Sequence, residues 1–241
     1  MHKFKLPDWA IQRVTARRGK AHAFDNLDPR KTALLVVDLQ NGFMMDGVSP
    51  LPVAYAREIV PDVNRLARAT RAAGGLVVWI QMAFTEESRE SWSVLNRDLS
   101  TPESCEKRAE SLRVGSYGYE LWSDLEVKPE DAKVQKTRFS AFAKDSSDIE
   151  TLLRRRGIDT VIVTGTVTSV CCDSTARDAM MHNFKSIMIS DANAARTEDE
   201  HTGALVNFYL VFGDVMSTDE AIGCLERNAA AKAAKEPALA K

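Results

Sequence analysis

The chain has 241 residues, of which 44% are hydrophobic and 27% charged, the balance of a soluble globular protein long enough to bury one large core. Its 32 basic and 34 acidic side chains leave a net charge of -2, so no nucleic-acid-binding or acidic-membrane field is advertised. There is no N-terminal h-region and nowhere do 18 apolar residues run together, which argues against a membrane span and sets cytoplasmic as the expected location.

In chain order, residues 1–30 are mixed and polar, with Pro7, Pro29 and Arg17-Arg18-Gly19. They read as an arm that lies on the domain or reaches a partner subunit. The domain is expected over 31–226. "TALLVVDLQ" (32–40) is a continuous apolar run closed by an acid, the pattern of a parallel strand buried on both faces. Residues 53–73 carry apolar positions at helical spacing and end at Gly74-Gly75, and "LVVWIQM" (76–82) is the next strand. From 83 to 132 the pattern loosens into a charged, Ser-rich, aromatic insert, a length that usually signals function or a subunit contact.

"AKVQKTRFSAF" (132–142) then reads as a short strand and turn, 145–157 as a helix closed by Gly157, and "TVIVTG" (160–165) as a buried strand. A helix over about 169–183, a strand over 186–192, a helix over 198–212 and a short strand at "GDVMS" continue the alternation. The low-complexity tail, 227–241, is expected to fray. Strand and helix in regular alternation imply a three-layer α/β/α domain around a mostly parallel sheet of about six strands.

Ligands of such sheets bind outside the carboxyl ends of the strands. Asp38 closes the first strand, Lys136 the third, and Cys171 lies just past the strand ending at Gly165. One acid, one ammonium and one thiol thus leave the sheet on the same edge. Taken singly each has a bland reading: a turn-capping acid, a snorkelling lysine, a packed cysteine. Thr168 or Ser169 is a candidate N-cap, placing Cys171 in a first helical turn that favours thiolate over thiol. Cys172 points about 100° further round the helix and reads as packing.

Four cysteines at 105, 171, 172 and 224 make no disulfide framework. Histidine occurs only at 2, 22, 182 and 201. His182 lies about three turns from Cys171, and His201 reads as a surface or capping residue, so a Cys/His pair is disfavoured. No CxxC, HxH or HExxH pattern supports a metal site, and no GxGxxG supports a dinucleotide.

"ALLVVDLQNGF", "KTRFSAF" and "VTGTVTSVCCDSTARDA", in that order and at these distances, resemble the isochorismatase-like cysteine hydrolases, and among them the amidohydrolase branch that acts on ureidoacrylate, N-carbamoylsarcosine and related compounds. The resemblance runs from about Thr32 to Met216. It implies Asp38 as general acid/base, Lys136 as the charge-stabilising cation and Cys171 as the nucleophile. It also implies a non-proline cis peptide between Thr166 and Val167, with the Val167 and Cys171 amides forming an oxyanion hole.

Gln40 and Asn41 fit the family's D-x-Q-N-x-F pattern and are expected to orient Asp38 or the substrate. Phe43 reads equally as pocket wall or core. The metal-binding D-x-H signature of the family's nicotinamidases is missing, since no histidine lies between Asp38 and Lys136.

The resemblance therefore implies a cofactor-free, metal-free hydrolase that cleaves a small amide or ureido compound through a thioester, working as a homodimer or homotetramer. Two alternatives stay open: hydrolysis of a vinyl ether or ester without covalent catalysis, and a non-catalytic redox or binding protein. Arg89, Trp92 and Tyr117, with Tyr119 and Trp122, are the insert residues expected to line the pocket, an arginine there being able to grip a carboxylate.

Overall fold

The computed structural model describes residues 4–50 and 52–239. Six strands, β1 (Thr32–Val37), β2 (Leu76–Met82), β3 (Ala132–Lys136), β4 (Thr160–Thr166), β5 (Lys185–Ala194) and β6 (Asp214–Met216), form one sheet in the order β3-β2-β1-β4-β5-β6. Every neighbouring pair is parallel. The expected three-layer α/β architecture is therefore the observed one.

The helices are α1 (Asp8–Arg18), α2 (Asn41–Met44), α3 (Val60–Ala72), α4 (Glu86–Ser91), α5 (Pro102–Ser111), α6 (Ile149–Arg155), α7 (Asp173–Met181), α8 (Glu198–Val211) and α9 (Thr218–Leu239).

Side chains alternate across the pleat, so β1 serves two cores at once. Leu34 and Val36 pack with Val63 and Leu66 of α3 and Leu225 of α9 on one face. Ala33, Leu35 and Val37 pack with Leu153 of α6, Ala176 of α7 and Phe208 of α8 on the other. A strand buried on both sides cannot alternate apolar with polar, which is why "TALLVV" reads as an unbroken apolar run.

The chain winds outward from β1 to β3 and then crosses to β4 on the other side. The strand order reverses between β1 and β4, where adjoining crossovers diverge and leave a crevice. Val37 pairs in register with Gly165 and Met82 with Lys136, so the strand ends carrying the singled-out residues finish nearly level. Gly165 has φ 115° and any Cβ there would overlap the Val37 carbonyl. Only glycine permits β4 to lie this close to β1 at the crevice.

Three regions carry more structure than their sequence announces. The N-terminal segment contains α1, which buries Ala10 and Val14; Arg18 donates to the carbonyls of Gly213 (3.0 Å) and Tyr209 (3.1 Å). Residues 1–3 lie outside the described residues. The insert holds α4, a π-helical turn over Val94–Asp98, α5 and a 3-10 turn at Tyr117–Tyr119. The last helix, α9, runs on through 227–239, with Asn228 donating to the Asp25 carbonyl and Lys232 paired with Asp28. Residues 240 and 241 are outside the description. β5 is also irregular: Val163 pairs with Met188, but Gly165 pairs with Asn193, so residues 189–192 bulge from the ladder.

Candidate active site

The site starts where β1 stops. Asp38 has φ 55°, a left-handed conformation that aspartate tolerates better than most residues, and its amide donates to the Ile80 carbonyl at 2.9 Å. The side chain is fully buried. Two strands away, Lys136 ends β3 and is equally buried. Its side chain passes the end of β2, 3.4 Å from Met82 Sδ, and brings Nζ to 2.8 Å from Asp38 Oδ2. The ammonium also donates to the Arg138 carbonyl at 3.2 Å. The snorkelling reading of this lysine is excluded.

β4 leads into the third member. The Thr166–Val167 peptide is cis, as the resemblance implies. Residues Thr168–Cys172 then form a π-helical turn that leads into α7, with Cys172 N donating to Val167 O at 3.2 Å. The N-cap is Val167 rather than Thr168 or Ser169. Thr168 lies inside the turn and its hydroxyl is paired with His201 Nδ1 at 2.9 Å. The Cys171 thiol comes within interaction range of both the Asp38 carboxylate and the Lys136 ammonium. Cys172 turns into the core, its sulfur 3.8 Å from the Thr164 carbonyl.

Burial decides the charge state of this cluster. Desolvation, reinforced by the neighbouring Asp38, pushes the Cys171 thiol up to about 12 against the pull of Lys136. At rest the sulfur is a thiol, contrary to the expectation from helix position alone: losing solvent outweighs the partial charge of a helix end. Desolvation also raises Asp38 above the ordinary carboxylate range, with Lys136 opposing. Lys136 is desolvated too, but Asp38 and Cys171 together hold it above its ordinary value.

The Asp38 carboxylate is ion-paired with Lys136 Nζ at 2.8 Å, and the Cys171 thiol and the Met82 backbone also act on it. Such a cluster can move a proton from sulfur to oxygen beside a fixed positive charge.

Cys171 opens onto a cleft of about 510 Å³. Met82, Val167, Val170, Cys171 and Arg196 form its floor, and Leu95, Leu99, Ser104, Arg108 and Leu112 of the insert form its roof, with Phe43 and Phe139 as side walls. Phe43 is thus a wall and also packs on a small apolar cluster of Met82, Phe84, Cys105 and Leu112.

The other expected pocket residues are elsewhere. Gln40 spends both amide protons on the Met82 and Tyr119 carbonyls (3.0 and 2.9 Å) and accepts from Met82 N at 2.7 Å; it ties β1 and β2 to the 117–119 turn. Asn41 donates to the Tyr117 carbonyl at 3.0 Å. Arg89 lines a separate groove and pairs with Glu106 at 3.1 Å. Trp92 stands edge-on behind Phe139 at 4.7 Å, outside the cleft. Tyr117 is exposed; Tyr119 offers its carbonyl to Gln40 and Gln81, and Trp122 pairs with Asp124.

In their place stand Arg108 and Arg196, each with a buried Nε that finds no partner among the described residues. Arg196 follows β5 on the same sheet edge as Cys171, so the strand-end rule that found the cysteine could have found it. Among the described residues no group of three or more His, Cys, Asp and Glu converges as for a metal ion. None of the described helices is long and apolar enough to cross a membrane.

A doubly wound parallel sheet with a buried thiol, carboxylate and ammonium at its switch point defines an α/β protein with a hydrolase-type site. Residues 32–220 match the model of the isochorismatase domain, and the chain belongs to that hydrolase family. Solved structures agree. A cysteine hydrolase from Pseudomonas syringae pv. phaseolicola 1448A is 28% identical, with a TM-score of 0.71 over 84% of this chain and 96% of its own.

An isochorismatase-like hydrolase from Alkaliphilus metalliredigens is 30% identical, with a TM-score of 0.64 over 80% of this chain and 98% of its own. The N-carbamoylsarcosine amidase from Thermoplasma acidophilum is 25% identical, with a TM-score of 0.62 over 78% and 97%.

Proposed function

We propose that the protein is a cysteine amidohydrolase that cleaves a C–N bond of a small linear amide or ureido compound, with Asp38, Lys136 and Cys171 as its catalytic residues. One observation carries the reading: a buried thiol, carboxylate and ammonium in mutual reach at the floor of a cleft. A redox or binding role would need no such ion pair under the sulfur.

Asp38 takes the Cys171 proton as Sγ attacks the substrate carbonyl, and Lys136 balances the charge that develops. The amides of Val167 and Cys171 receive the oxyanion. Asp38 returns the proton to the departing nitrogen, the C–N bond breaks, and a thioester remains on Cys171. A water deprotonated by Asp38 then attacks the thioester, releasing the acid and restoring the thiol. No step calls on a cofactor.

The unpartnered buried Nε of Arg108 and of Arg196 favours substrates with an anionic group away from the scissile bond, because a planar guanidinium pairs best with a carboxylate. The similarity to an N-carbamoylsarcosine amidase supports the C–N bond class. The homodimer or homotetramer belongs to the same proposal. Half-exposed Trp9 on α1 and Val211 on α8 supply apolar surface for it, and a monomer in sedimentation velocity would remove it.

The test is ammonia release across a panel of carbamoyl and primary amides, with and without a carboxylate, using Cys171→Ser as control. Turnover with an acylated Cys171 in the mass spectrum is expected. Cleavage that survives Cys171→Ala, or silence over the whole panel, overturns the reading.

A further inference from the structure

We infer that His201 is a positioning residue for Cys171, bracing the nucleophile's turn through the Thr168 hydroxyl. The inference rests on the catalytic reading above. His201 is completely buried, although it sits in the first turn of α8 beside Glu198, Asp199 and Glu200. Its Nε2 lies 3.0 Å from the Ser190 carbonyl and its Nδ1 lies 2.9 Å from Thr168 Oγ1. A carbonyl only accepts, so Nε2 carries the proton. In the neutral ring Nδ1 is then an acceptor, and the Thr168 hydroxyl donates to it.

Each end of this strut is anchored to a feature that needs holding. Ser190 lies in the 189–192 bulge of β5, which Asn193 pins by donating to Val163 O (2.9 Å) and Ile189 O (2.7 Å). Thr168 follows the cis Thr166–Val167 peptide directly and precedes Cys171 by three residues in the π-helical turn. The ring therefore links the bulge to the turn that presents both Sγ and the Val167 amide.

The α8 cap reinforces it. Thr197 and Glu200 close a capping box, and Arg196 precedes them immediately, so the same strut sets the floor arginine relative to the cysteine. Phe4 stands edge-on to the ring at 5.7 Å, covering it from the N-terminal segment. His201 does not line the cleft; it touches no reacting atom and acts by fixing geometry.

A double-mutant cycle decides the matter. Thr168→Val keeps the shape and removes the hydroxyl; His201→Ala removes the ring; His201→Gln keeps one donor and one acceptor on neighbouring atoms. kcat and KM are read on the best amide of the panel, and in parallel the rate at which iodoacetamide alkylates Cys171, which needs no amide substrate.

Thr168→Val and His201→Ala are each expected to lower kcat and alkylation about tenfold, with KM within about twofold, and the double variant to lose about tenfold rather than a hundredfold, because both remove one shared bond. His201→Gln recovers most of the loss. Losses that multiply to about a hundredfold, or a fall confined to KM, overturn the inference. Should His201→Ala not fold, Thr168→Val measured in the wild-type and His201→Gln backgrounds decides it: equal losses in both support the strut, and no loss in either removes it. If the wild-type enzyme turns over no amide, the catalytic reading fails while the alkylation rates still judge the strut.

Discussion

The floor of the cleft is held by strand ends, whereas its roof is held by side chains. Beneath Cys171 the register Val37–Gly165 and Met82–Lys136 is fixed by ladders, the glycine approach leaves no slack, and Asp38 and Lys136 are sealed from solvent. Above it, α4 and α5 are short helices started by the Thr85 and Thr101 side chains and tied by single contacts such as Arg108 to Asn96 at 2.8 Å and Asn96 to the Arg89 carbonyl at 3.1 Å. On the proposed reading, chemistry that tolerates little displacement sits on the ladder-built part, and substrate choice, which tolerates more, falls to the other.

That division is breakable by mutation. Cys171→Ala and Asp38→Asn in the floor should each lower kcat by at least about 10^4-fold, read as ammonia release; retention of a tenth of the activity by either would end the contrast. Replacing Arg196 or Arg108 with Gln should raise KM for carboxylate-bearing amides by about 10- to 100-fold, with neutral amides little affected. A kcat effect equal to that of Cys171 or Asp38 would show either arginine taking part in chemistry.

The pH profile sharpens the floor's side. Asp38 must be ionised to take the thiol proton, and burial raises its pKa, so kcat/KM should fall on the acid side at a pH above the ordinary carboxylate range. Lys136→Gln should move that fall still higher, since the cation opposing protonation is gone. A limb that moves down, or stays put, would contradict the ion pair's role.

The smallest effect lies on neither surface. His22 Nδ1 is 3.0 Å from buried Asp214 on β6, and the hydrogen bond to Asp214 raises its pKa against partial desolvation. A histidine raised on folding stabilises the fold fully below its unfolded value near 6.5 and loses that contribution as pH rises through the folded value. His22→Asn should therefore cost about 1 kcal/mol at pH 5.5 in urea unfolding and much less at pH 9, with kcat unchanged. An equal cost at both pH values would mean packing alone.

How much of this the sequence disclosed follows the same division. The inner strands β1, β2 and β4 are legible because burial on both faces forces apolar runs, and the acid, cation and thiol are legible because each falls at or just past a strand's carboxyl end. β5 read too short, since a bulge interrupts its pattern, and Arg196 was lost with it. In the insert the helix starts were present as Thr85 and Thr101-Pro102, but the helices bury so few side chains that no apolar period marks them.

α9 is illegible for the opposite reason. Its Ala- and Lys-rich repeat reads as low complexity, although those residues are among the strongest helix formers. His201 misled because three acids precede it, and nothing local says that α8 enters over the Cys171 turn. Only residue type points to Arg89, Trp92 and Tyr117, and residue type carries no information about which side of a loop faces inward.

Burial that pushes the Cys171 thiol up to about 12 keeps the resting sulfur in its protonated, less reactive form. Alkylating agents and peroxides react through the anion, so Cys171 should react with them more slowly than an exposed thiol does. On the proposed mechanism, Asp38 lends reactivity for the length of one proton transfer, and the sulfur is a thiol again when the acid departs.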